Sequence, residues 1–370
     1  MRFVIFTHSL VSDWNHGNAH FLRGIATELG ERGHEVRVFE PCDGWSLRRL
    51  IAEQGEAAVA AFQRVYPKLR STFYDADTLD VARALSGADV VVLHEWNTHD
   101  LVRRIGDYRR EHGGFRLFFH DTHHRSATDP QAMAAYDLRY YDGVLAYGSV
   151  IRDLYRANGW ARRAWTWHEA ADTRVFRPHT EIQPDADLVW IGNWGDDERS
   201  HEIREFLIEP AKALRLRARV YGVRYPREAL DQLDAAGIEY GGWLPNYRVP
   251  EVFARHRVTV HIPRGPYVRA LPAIPTIRPF EALACGIPMI SAPWNDCEQL
   301  FRPGVDFLVA RDRDDMISRL RQVLSDQNLA ARLRARGIET IRDRHTCAHR
   351  VDELMAIIAA AADRAAEGAH

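Results

Sequence analysis

Short apolar runs alternate with amphipathic segments along the chain. The first run, RFVIFTH at residues 2–8, is rich in aromatic and β-branched residues and predicts a buried strand. The segment after it carries apolar residues at the spacing of one helix face: Phe21, Leu22, Ile25, Ala26 and Leu29. EVRVFEP at 35–41 follows as a second strand. This order predicts a right-handed parallel βαβ unit.

The same alternation continues to about residue 175. Residues 45–86 are predicted to be mostly helical. The further predicted strands lie in ADVVVLHEW (88–96), FRLFFHD (115–121), GVLAYGS (143–149) and ARRAWTWHEA (161–170), and the helices at 100–113, 131–142 and 151–159. One doubly wound sheet accounts for this part of the chain.

The polar segment RPHTEIQPDAD at 177–187 carries two prolines and predicts a linker. The alternation then restarts, with strands in LVWIGN, RARVYGV, IEYGGW, VTVHIPR and FLVA. The sequence therefore predicts an α/β protein with two Rossmann-like, doubly wound parallel-sheet domains that face a central cleft. We expect an N-terminal acceptor domain at 1–178, a nucleotide-sugar domain at 179–345, and a C-terminal helix at 346–370 that packs back on the body.

The composition indicates a globular protein and reduces the range of expected binding partners. Apolar residues make up 46% of the 370 residues, and the formal net charge of −2 gives no reason to expect nucleic acid or anionic membrane as the main partner. The four cysteines form no CxxC pair, the N-terminus resembles a core strand, and no apolar stretch is long enough to cross a bilayer. We expect a cytoplasmic protein.

A charged pair stands at the start of a predicted helix in RPFEALACG. Pro279 suits the first helical position, which would put Glu281 in the first turn. A carboxylate there can stabilise the helix dipole. It can also accept both hydroxyls of a ribose, while Arg278 and the free amides meet phosphate.

The run RPFEALACGIPMISAPWNDCEQLFRPGVDFLVARD at 278–312 resembles the nucleotide-binding segment of group 1 (family 4-like) glycosyltransferases of the GT-B fold, and most closely their spore-maturation CgeB-like branch. The resemblance implies that Glu281 binds the donor ribose. It also matches Glu298 and Gly304 to a later acidic residue and a glycine turn, and TWHEAADTRVFRP (166–178) to the strand before the linker.

The chain departs from the family pattern at two places. Ala273 stands where the family often has an acidic residue near the donor sugar, eight positions before Glu281. The usual basic residues after the first strand of the second domain are displaced, which leaves Arg199 there. Arg264 and Arg269 can supply positive charge, or they can be solvated loop residues.

Other donor-binding candidates end strands or begin helices. Gly192 and Asn193 end the first strand of the second domain, and Gly192 permits close backbone approach. Trp243 can pack near the base, or can be a core or lid aromatic. In the first domain, Gly17 and Asn18 match a family loop close to the diphosphate, although Asn18 can also cap the helix.

Histidines concentrate where strands of the first domain end. HDTHHR at 120–125 and HEWN at 94–97 predict an acceptor and catalytic site, because the carboxyl ends of parallel strands meet at one edge. The residues proposed for catalysis are His120, Asp121 and Arg199, and those for acceptor binding are His16, His94, Glu95, His123 and His124. Histidine suits proton transfer since its ordinary pKa is near 6.5. A metal site and simple strand-end hydrogen bonding are the alternatives.

The resemblance implies transfer of a sugar from a UDP- or GDP-sugar to an acceptor, with retention of configuration and without a metal or other cofactor. A nucleic acid stays open as the acceptor. Three other functions stay open: a sugar-nucleotide epimerase of the same fold, a metal-dependent hydrolase built on the histidine-rich loop, and a nucleotide-sugar-binding protein without catalysis.

Overall fold

The computed structural model describes residues 1–15, 17–195 and 198–367, with the side chains of the last helix up to residue 362. Contacts divide it into two compact units. Unit 1 contains residues 1–169 and the last helix, and unit 2 contains residues 170–346. The domain limits at 178 and 345 stay predictions.

Unit 1 is built on seven parallel strands in the spatial order β3-β2-β1-β4-β5-β6-β7. They are β1 (Arg2–Phe6), β2 (Glu35–Pro41), β3 (Ser71–Tyr74), β4 (Val90–His94), β5 (Arg116–Asp121), β6 (Gly143–Ala146) and β7 (Ala164–Thr166). The strand order reverses between β1 and β4. Ligands of open parallel sheets bind beyond the carboxyl ends of the strands at such a switch point.

Helices connect these strands. They are α1 (Ala19–Glu31), α2 (Trp45–Gln54), α3 (Glu56–Val65), α4 (Val81–Leu85), α5 (His99–His112), α6 (Arg125–Thr128), α7 (Pro130–Ala134) and α8 (Ser149–Ala157). Strands β1, β4, β5 and β6 are almost wholly buried, as expected for central strands covered by helices on both faces.

Unit 2 has six parallel strands in the order β10-β9-β8-β11-β12-β13. They are β8 (Ala186–Ile191), β9 (Ala218–Tyr221), β10 (Ile238–Tyr240), β11 (His256–His261), β12 (Met289–Ser291) and β13 (Leu308–Val309). Its switch point lies between β8 and β11. One core of aliphatic and aromatic side chains, including Leu188, Trp190 and Val258, fills the space under the helices.

The helices of unit 2 begin with α9 (Ser200–Ile203), which continues through one π-helical turn (Arg204–Ile208) into α10 (Glu209–Leu214). The others are α11 (Arg227–Ala235), α12 (Val249–Ala254), α13 (Gly265–Arg269), α14 (Ile277–Cys285), α15 (Arg313–Ser325) and α16 (Gln327–Arg344). The last helix, α17 (Cys347–Glu367), belongs to unit 1 and packs against α1.

The predicted fold class is confirmed in its two parallel-sheet α/β domains, and three element predictions need correction. Residues 45–86 contain the strand β3, which has two exposed central residues and so lacks an apolar run. The helix predicted at 131–142 ends at Ala134. The loop predicted after Arg264 contains the short helix α13. Within the described residues, no helix has the length and apolar character needed to cross a membrane.

Candidate functional site

Arg199 spans the switch point of the sheet in unit 2. Its guanidinium donates one hydrogen bond to the carbonyl of Asn193, which follows β8, and another, of 3.1 Å, to the carbonyl of Ile262, which follows β11. The same guanidinium lies 5.1 Å from the centre of the Trp190 ring. One side chain therefore fastens together the two loops at which the strand order reverses.

Two further arginines act electrostatically on Arg199. Burial, together with the positive charges of Arg264 and Arg278, lowers the pKa of Arg199 to about 10. The charged form of an arginine side chain is disfavoured where solvent is excluded or where a like charge is near. Both causes act on Arg199. The structure thus brings together the three arginines that the sequence proposed for a phosphate site.

Each of the two outer arginines has a carboxylate partner. Arg264 pairs with Glu198, and Arg278 pairs with Glu281. The other oxygen of the Glu281 carboxylate accepts a 2.7 Å hydrogen bond from the amide of Asn246. Glu281 has no exposed surface. A ribose can reach this carboxylate only if Arg278 or Asn246 moves.

The position of Glu281 in its helix differs from the expectation. Helix α14 begins at Ile277, two residues earlier than Pro279 suggested, and its first turn contains no acidic residue. Pro279 is tolerated because the first four amides of a helix have no intrahelical partner. Glu281 therefore lies one turn inside the helix, and the proposal that it stabilises the helix dipole from the first turn is wrong.

The remaining donor candidates of unit 2 lie in the loops after β8 and β10. The Asn193 side chain accepts a 2.9 Å hydrogen bond from the amide of Val223 and so ties two loops together. A side chain at Gly192 would lie 2.8 Å from the Trp190 ring, so packing accounts for this glycine. Trp243 is half-buried, and its indole N–H has no hydrogen-bond partner within the described chain.

Ala273 lies in the loop before α14, eight positions before Glu281. It is fully buried, has a φ of 70°, and donates a 2.6 Å hydrogen bond to the carbonyl of Asn295. A positive φ is costly for a residue with a Cβ. The loop holds it here by that hydrogen bond and by burial.

A second cluster lies at the switch point of the sheet in unit 1. Asn97 bridges the two strands there, because its amide donates to the carbonyls of Phe6 at 3.0 Å and His94 at 2.7 Å. His94 and His120 are directly opposite each other in the paired strands β4 and β5, and their rings lie 5.3 Å apart. The predicted meeting of these strand ends is observed.

His94 is the centre of this cluster. Its Nε2 lies 2.8 Å from the Thr122 hydroxyl and 3.4 Å from the amide nitrogen of Asn18, and its Nδ1 lies 3.2 Å from a carboxylate oxygen of Glu95. Asn18 makes no capping hydrogen bond at α1, so its side chain serves the cluster and not the helix. Gly17 stands half-buried immediately before it.

Two buried carboxylates, those of Glu95 and Asp121, belong to the same cluster as the histidines. Burial and the neighbouring Asp121 raise the pKa of Glu95 well above its usual value. Asp121 accepts hydrogen bonds from the hydroxyls of Ser126 and Tyr155 and from the amide of His123, and burial raises its pKa as well. With these three donors, the carboxylate of Asp121 fixes the loop that follows β5.

His120 is buried among aromatic rings. The centres of the Trp167 and Phe21 rings lie 4.9 Å and 5.9 Å from its own, and its Nε2 has no hydrogen-bond partner within the described chain. Burial lowers the pKa of His120 to about 3. The ring is therefore neutral at physiological pH and can act as a hydrogen-bond donor or acceptor, but not as a cation.

The other three predicted histidines are His16, His123 and His124. His123 and His124 lie in the same loop with ring centres 4.0 Å apart, and His124 Nδ1 lies 2.8 Å from the Thr128 hydroxyl. His16 lies outside the described residues. Across the part of the chain that is described, no group of three or more His, Cys, Asp or Glu side chains is arranged to hold a metal ion.

Sequence reasoning named neither His8 after β1 nor Asn246 before α12, and it included Trp96 and Arg125 only as members of the strand-end motifs HEWN and HDTHHR. The rule that selected the residues after β4 and β5 would also have selected His8, since β1 ends at the same edge. Asn246 had no such signal, because it lies 35 residues from Glu281.

Residues 199–356, less than half of the chain, match the family model described as "Glycosyl transferase-like". This segment contains Arg199, Arg264, Arg278 and Glu281. The comparison with curated proteins found no match.

Solved structures match over nearly the whole chain. A sucrose-phosphate synthase from Thermosynechococcus elongatus is 13% identical with a TM-score of 0.64, over 98% of this chain and 100% of its own. Anabaena HepE in complex with UDP is 13% identical with a TM-score of 0.67, over 97% and 99%.

An α-glucosyltransferase in complex with UDP-glucose and DNA containing an abasic site is also 13% identical, with a TM-score of 0.69 over 97% of this chain and 99% of its own. At such low identity the likeness defines the fold alone. The chain therefore has the fold of GT-B glycosyltransferases, with two parallel-sheet α/β domains.

Proposed function

We propose that this protein is a glycosyltransferase that moves a sugar from a nucleotide-sugar donor to an acceptor hydroxyl. The observation that carries the proposal is the position of Arg199, which spans the switch point of unit 2 under the influence of Arg264 and Arg278. The family-model match covers the same residues. Because two of the similar structures contain UDP or UDP-glucose, a UDP-sugar is the proposed donor.

The charges of the cluster suit a diphosphate. Three guanidiniums face two carboxylates, Glu198 and Glu281, so the ligand-free cluster carries an excess of positive charge. When the glycosidic bond breaks, negative charge grows on the leaving diphosphate. Fixed guanidiniums stabilise that charge more in the transition state than in the ground state, which lowers the barrier.

Donor binding would exchange partners within this cluster. A diphosphate attracts Arg278 away from Glu281, and the released carboxylate oxygen can accept a ribose hydroxyl while Asn246 holds the other oxygen. Glu281 then keeps two hydrogen-bond donors in both states. This exchange reconciles the proposed ribose role of Glu281 with its complete burial in the ligand-free protein.

Unit 1 is proposed to hold the acceptor, with His94, His120, His123 and Asn18 near its reacting hydroxyl. We further propose that configuration is retained and that a leaving phosphate oxygen takes the acceptor proton, since burial makes His120 a weak base and Asp121 is occupied by three donors. In this mechanism no metal ion is needed, and activity should survive chelation.

The test is a thermal-shift titration of the whole protein with UDP, UDP-glucose, GDP and GDP-mannose. A ligand at 100 times its dissociation constant stabilises the folded state by about 2.7 kcal/mol. Arg199→Gln should weaken nucleotide binding by about tenfold or more, since a charged hydrogen bond to phosphate contributes about 1.5–3 kcal/mol. The matched control is Arg227→Gln, because Arg227 lies in the same unit and is mostly exposed.

The shift on ligand addition is compared within each variant, since Arg199→Gln also loses two hydrogen bonds to loop carbonyls. If no nucleotide stabilises the wild-type protein, or if both variants bind as well as wild type, the proposed donor site is wrong.

Ala273 favours a second candidate, a nucleotide-sugar-binding protein without catalysis. The buried alanine places no carboxylate near the donor sugar where the family often has one. This candidate predicts nucleotide-sugar binding with neither hydrolysis nor transfer to any acceptor. Release of UDP from UDP-glucose, measured with a coupled assay, distinguishes the two.

A further inference from the structure

A continuous series of rings runs along the switch point of unit 1. Trp96 lies 5.4 Å from His8, His8 lies 5.0 Å from His94, and His94 lies 5.3 Å from His120, all measured between ring centres. Trp167 continues the series at 4.9 Å from His120. The series therefore leads from a partly exposed tryptophan at one end to the buried His120, whose Nε2 has no hydrogen-bond partner within the described chain.

Trp96 is held firmly although 38% of it is exposed. The guanidinium of Arg125 lies 4.3 Å from the centre of its ring, and Arg125 is itself anchored by a 2.8 Å hydrogen bond to the carbonyl of Glu95. The His123 ring meets the indole edge-on at 5.1 Å. An exposed aromatic ring whose orientation is set by a few polar neighbours can provide the flat apolar surface of a ligand site.

The local charge identifies the kind of ligand. The segments 94–100 and 120–130, which contain Trp96 and its neighbours His123 and Arg125, present two exposed carboxylates, on Asp100 and Asp129, and only one arginine, Arg125, while Glu95 and Asp121 are buried. A polyanion such as DNA requires a basic groove beside its stacking residues. A neutral sugar ring requires an aromatic face for its C–H groups and hydrogen-bonding side chains for its hydroxyls, and Trp96, His8 and His123 supply them here.

We infer that Trp96 is the stacking platform for a neutral pyranose of the acceptor, and thus that the acceptor is a carbohydrate. This inference rests on the proposed function and deepens it by naming the acceptor class. His8 and His123, which flank the indole, would receive the hydroxyls of the stacked sugar.

The test measures binding of acceptor-like probes to the whole protein without donor. The probes are methyl α- and β-glucopyranoside, maltotriose, cellotriose and a 13-nucleotide single-stranded DNA, and binding is followed by saturation-transfer NMR and calorimetry. At least one pyranoside should bind wild-type protein. Trp96→Ala should weaken that binding on the order of tenfold, and Trp96→Phe should restore most of it.

The matched control is Trp45→Ala, since Trp45 lies in the same unit with 40% of its surface exposed, and packs against Trp14. This variant should bind the pyranosides as wild type does. The inference is overturned if no pyranoside binds, if Trp96→Ala binds as well as the control, or if DNA binds through Trp96 and the sugars do not.

UDP binding separates this inference from the proposed function. Trp96→Ala should retain the wild-type thermal shift with UDP, because the proposed nucleotide site lies in unit 2. A protein that binds pyranosides through Trp96 but binds no nucleotide would contradict the proposed function, whereas the role of Trp96 in sugar binding would still be supported.

Discussion

The carboxylate of Glu281 shows how much one buried residue depends on its neighbours. It lies between Asn246 and Arg278 and has no contact with solvent. An unpaired carboxylate would be unstable in such a place, so the protein supplies one amide and one guanidinium. In the proposed function, a ribose hydroxyl can bind the Glu281 carboxylate only when the Arg278 guanidinium or the Asn246 amide has moved away.

Glu281→Gln should therefore weaken UDP binding by about tenfold while the protein stays folded, because an amide fits the same space but has only one acceptor oxygen, so either Asn246 or the ribose hydroxyl loses its acceptor. The measurement is UDP affinity by calorimetry. Glu239→Gln, on an exposed carboxylate of the same unit, is the control. Equal affinity in both variants would refute the ribose role.

His120 makes the stability of unit 1 depend on pH. In the unfolded chain it takes up a proton near pH 6.5, whereas in the folded protein burial lowers its pKa to about 3. The neutral His120 ring therefore makes its full contribution to the free energy of unfolding above pH 6.5. This contribution is lost progressively as the pH falls towards 3, by about 1.4 kcal/mol per pH unit.

Stability towards urea, measured at pH 7, 6 and 5, tests this titration. His120→Gln should lose less stability than wild type between pH 7 and pH 5, since glutamine has no proton to take up. Parallel pH profiles for the two proteins would show that His120 does not titrate in this way.

At the scale of elements, the loop between β1 and α1 depends on a buried arginine in the helix. Arg23 donates to the carbonyls of Leu10 at 2.8 Å and Val11 at 2.9 Å, and forms a 2.8 Å ion pair with Asp13. From β2, the carboxylate of Glu40 accepts a 2.7 Å hydrogen bond from the amide of Leu10. A helix and a strand thus clamp the loop that leads to Asn18.

Arg23→Met should destabilise the protein by about 3–5 kcal/mol, since it leaves the buried carboxylate of Asp13 without its cation. Urea denaturation provides the measurement. Arg32→Met, directly after the same helix but 30% exposed in its side chain, should cost about 1 kcal/mol or less. Similar losses in the two variants would mean that the buried pair contributes no more than a surface pair.

At the scale of the whole molecule, the chain returns to unit 1 after completing unit 2. Helix α17 packs against α1, and the indole of Trp167 donates a 2.8 Å hydrogen bond to the carbonyl of Arg350. Val351 and Leu354 are buried on the inner face of α17. The last helix therefore completes the core of a unit whose other strands and helices end near residue 169.

Leu354→Ala should consequently destabilise unit 1 by about 2–5 kcal/mol, because it leaves a cavity in that core. Differential scanning calorimetry with and without UDP checks this, since UDP should raise the transition of unit 2 in wild type and variant alike. The exposed Ala359→Ser is the control. A variant that no longer responds to UDP would place the damage in unit 2.

The sequence by itself determined the elements and the class of fold. Apolar periodicity is a local property, and it predicted nearly every central strand and the second α/β domain. It failed at β3 and at residues 131–142, where exposed residues interrupt the pattern at an edge strand and in a series of turns. The rule that parallel strands end at one edge also grouped His94 with His120 correctly.

Only the tertiary structure decided which of these residues meet and in what state. Arg199 reaches a carbonyl 63 positions away, and Asn246 reaches Glu281 across 35. Such contacts follow from strand order and loop packing, which no local pattern encodes. Burial, which shifts the pKa of Arg199 and of His120, likewise depends on the whole surrounding core.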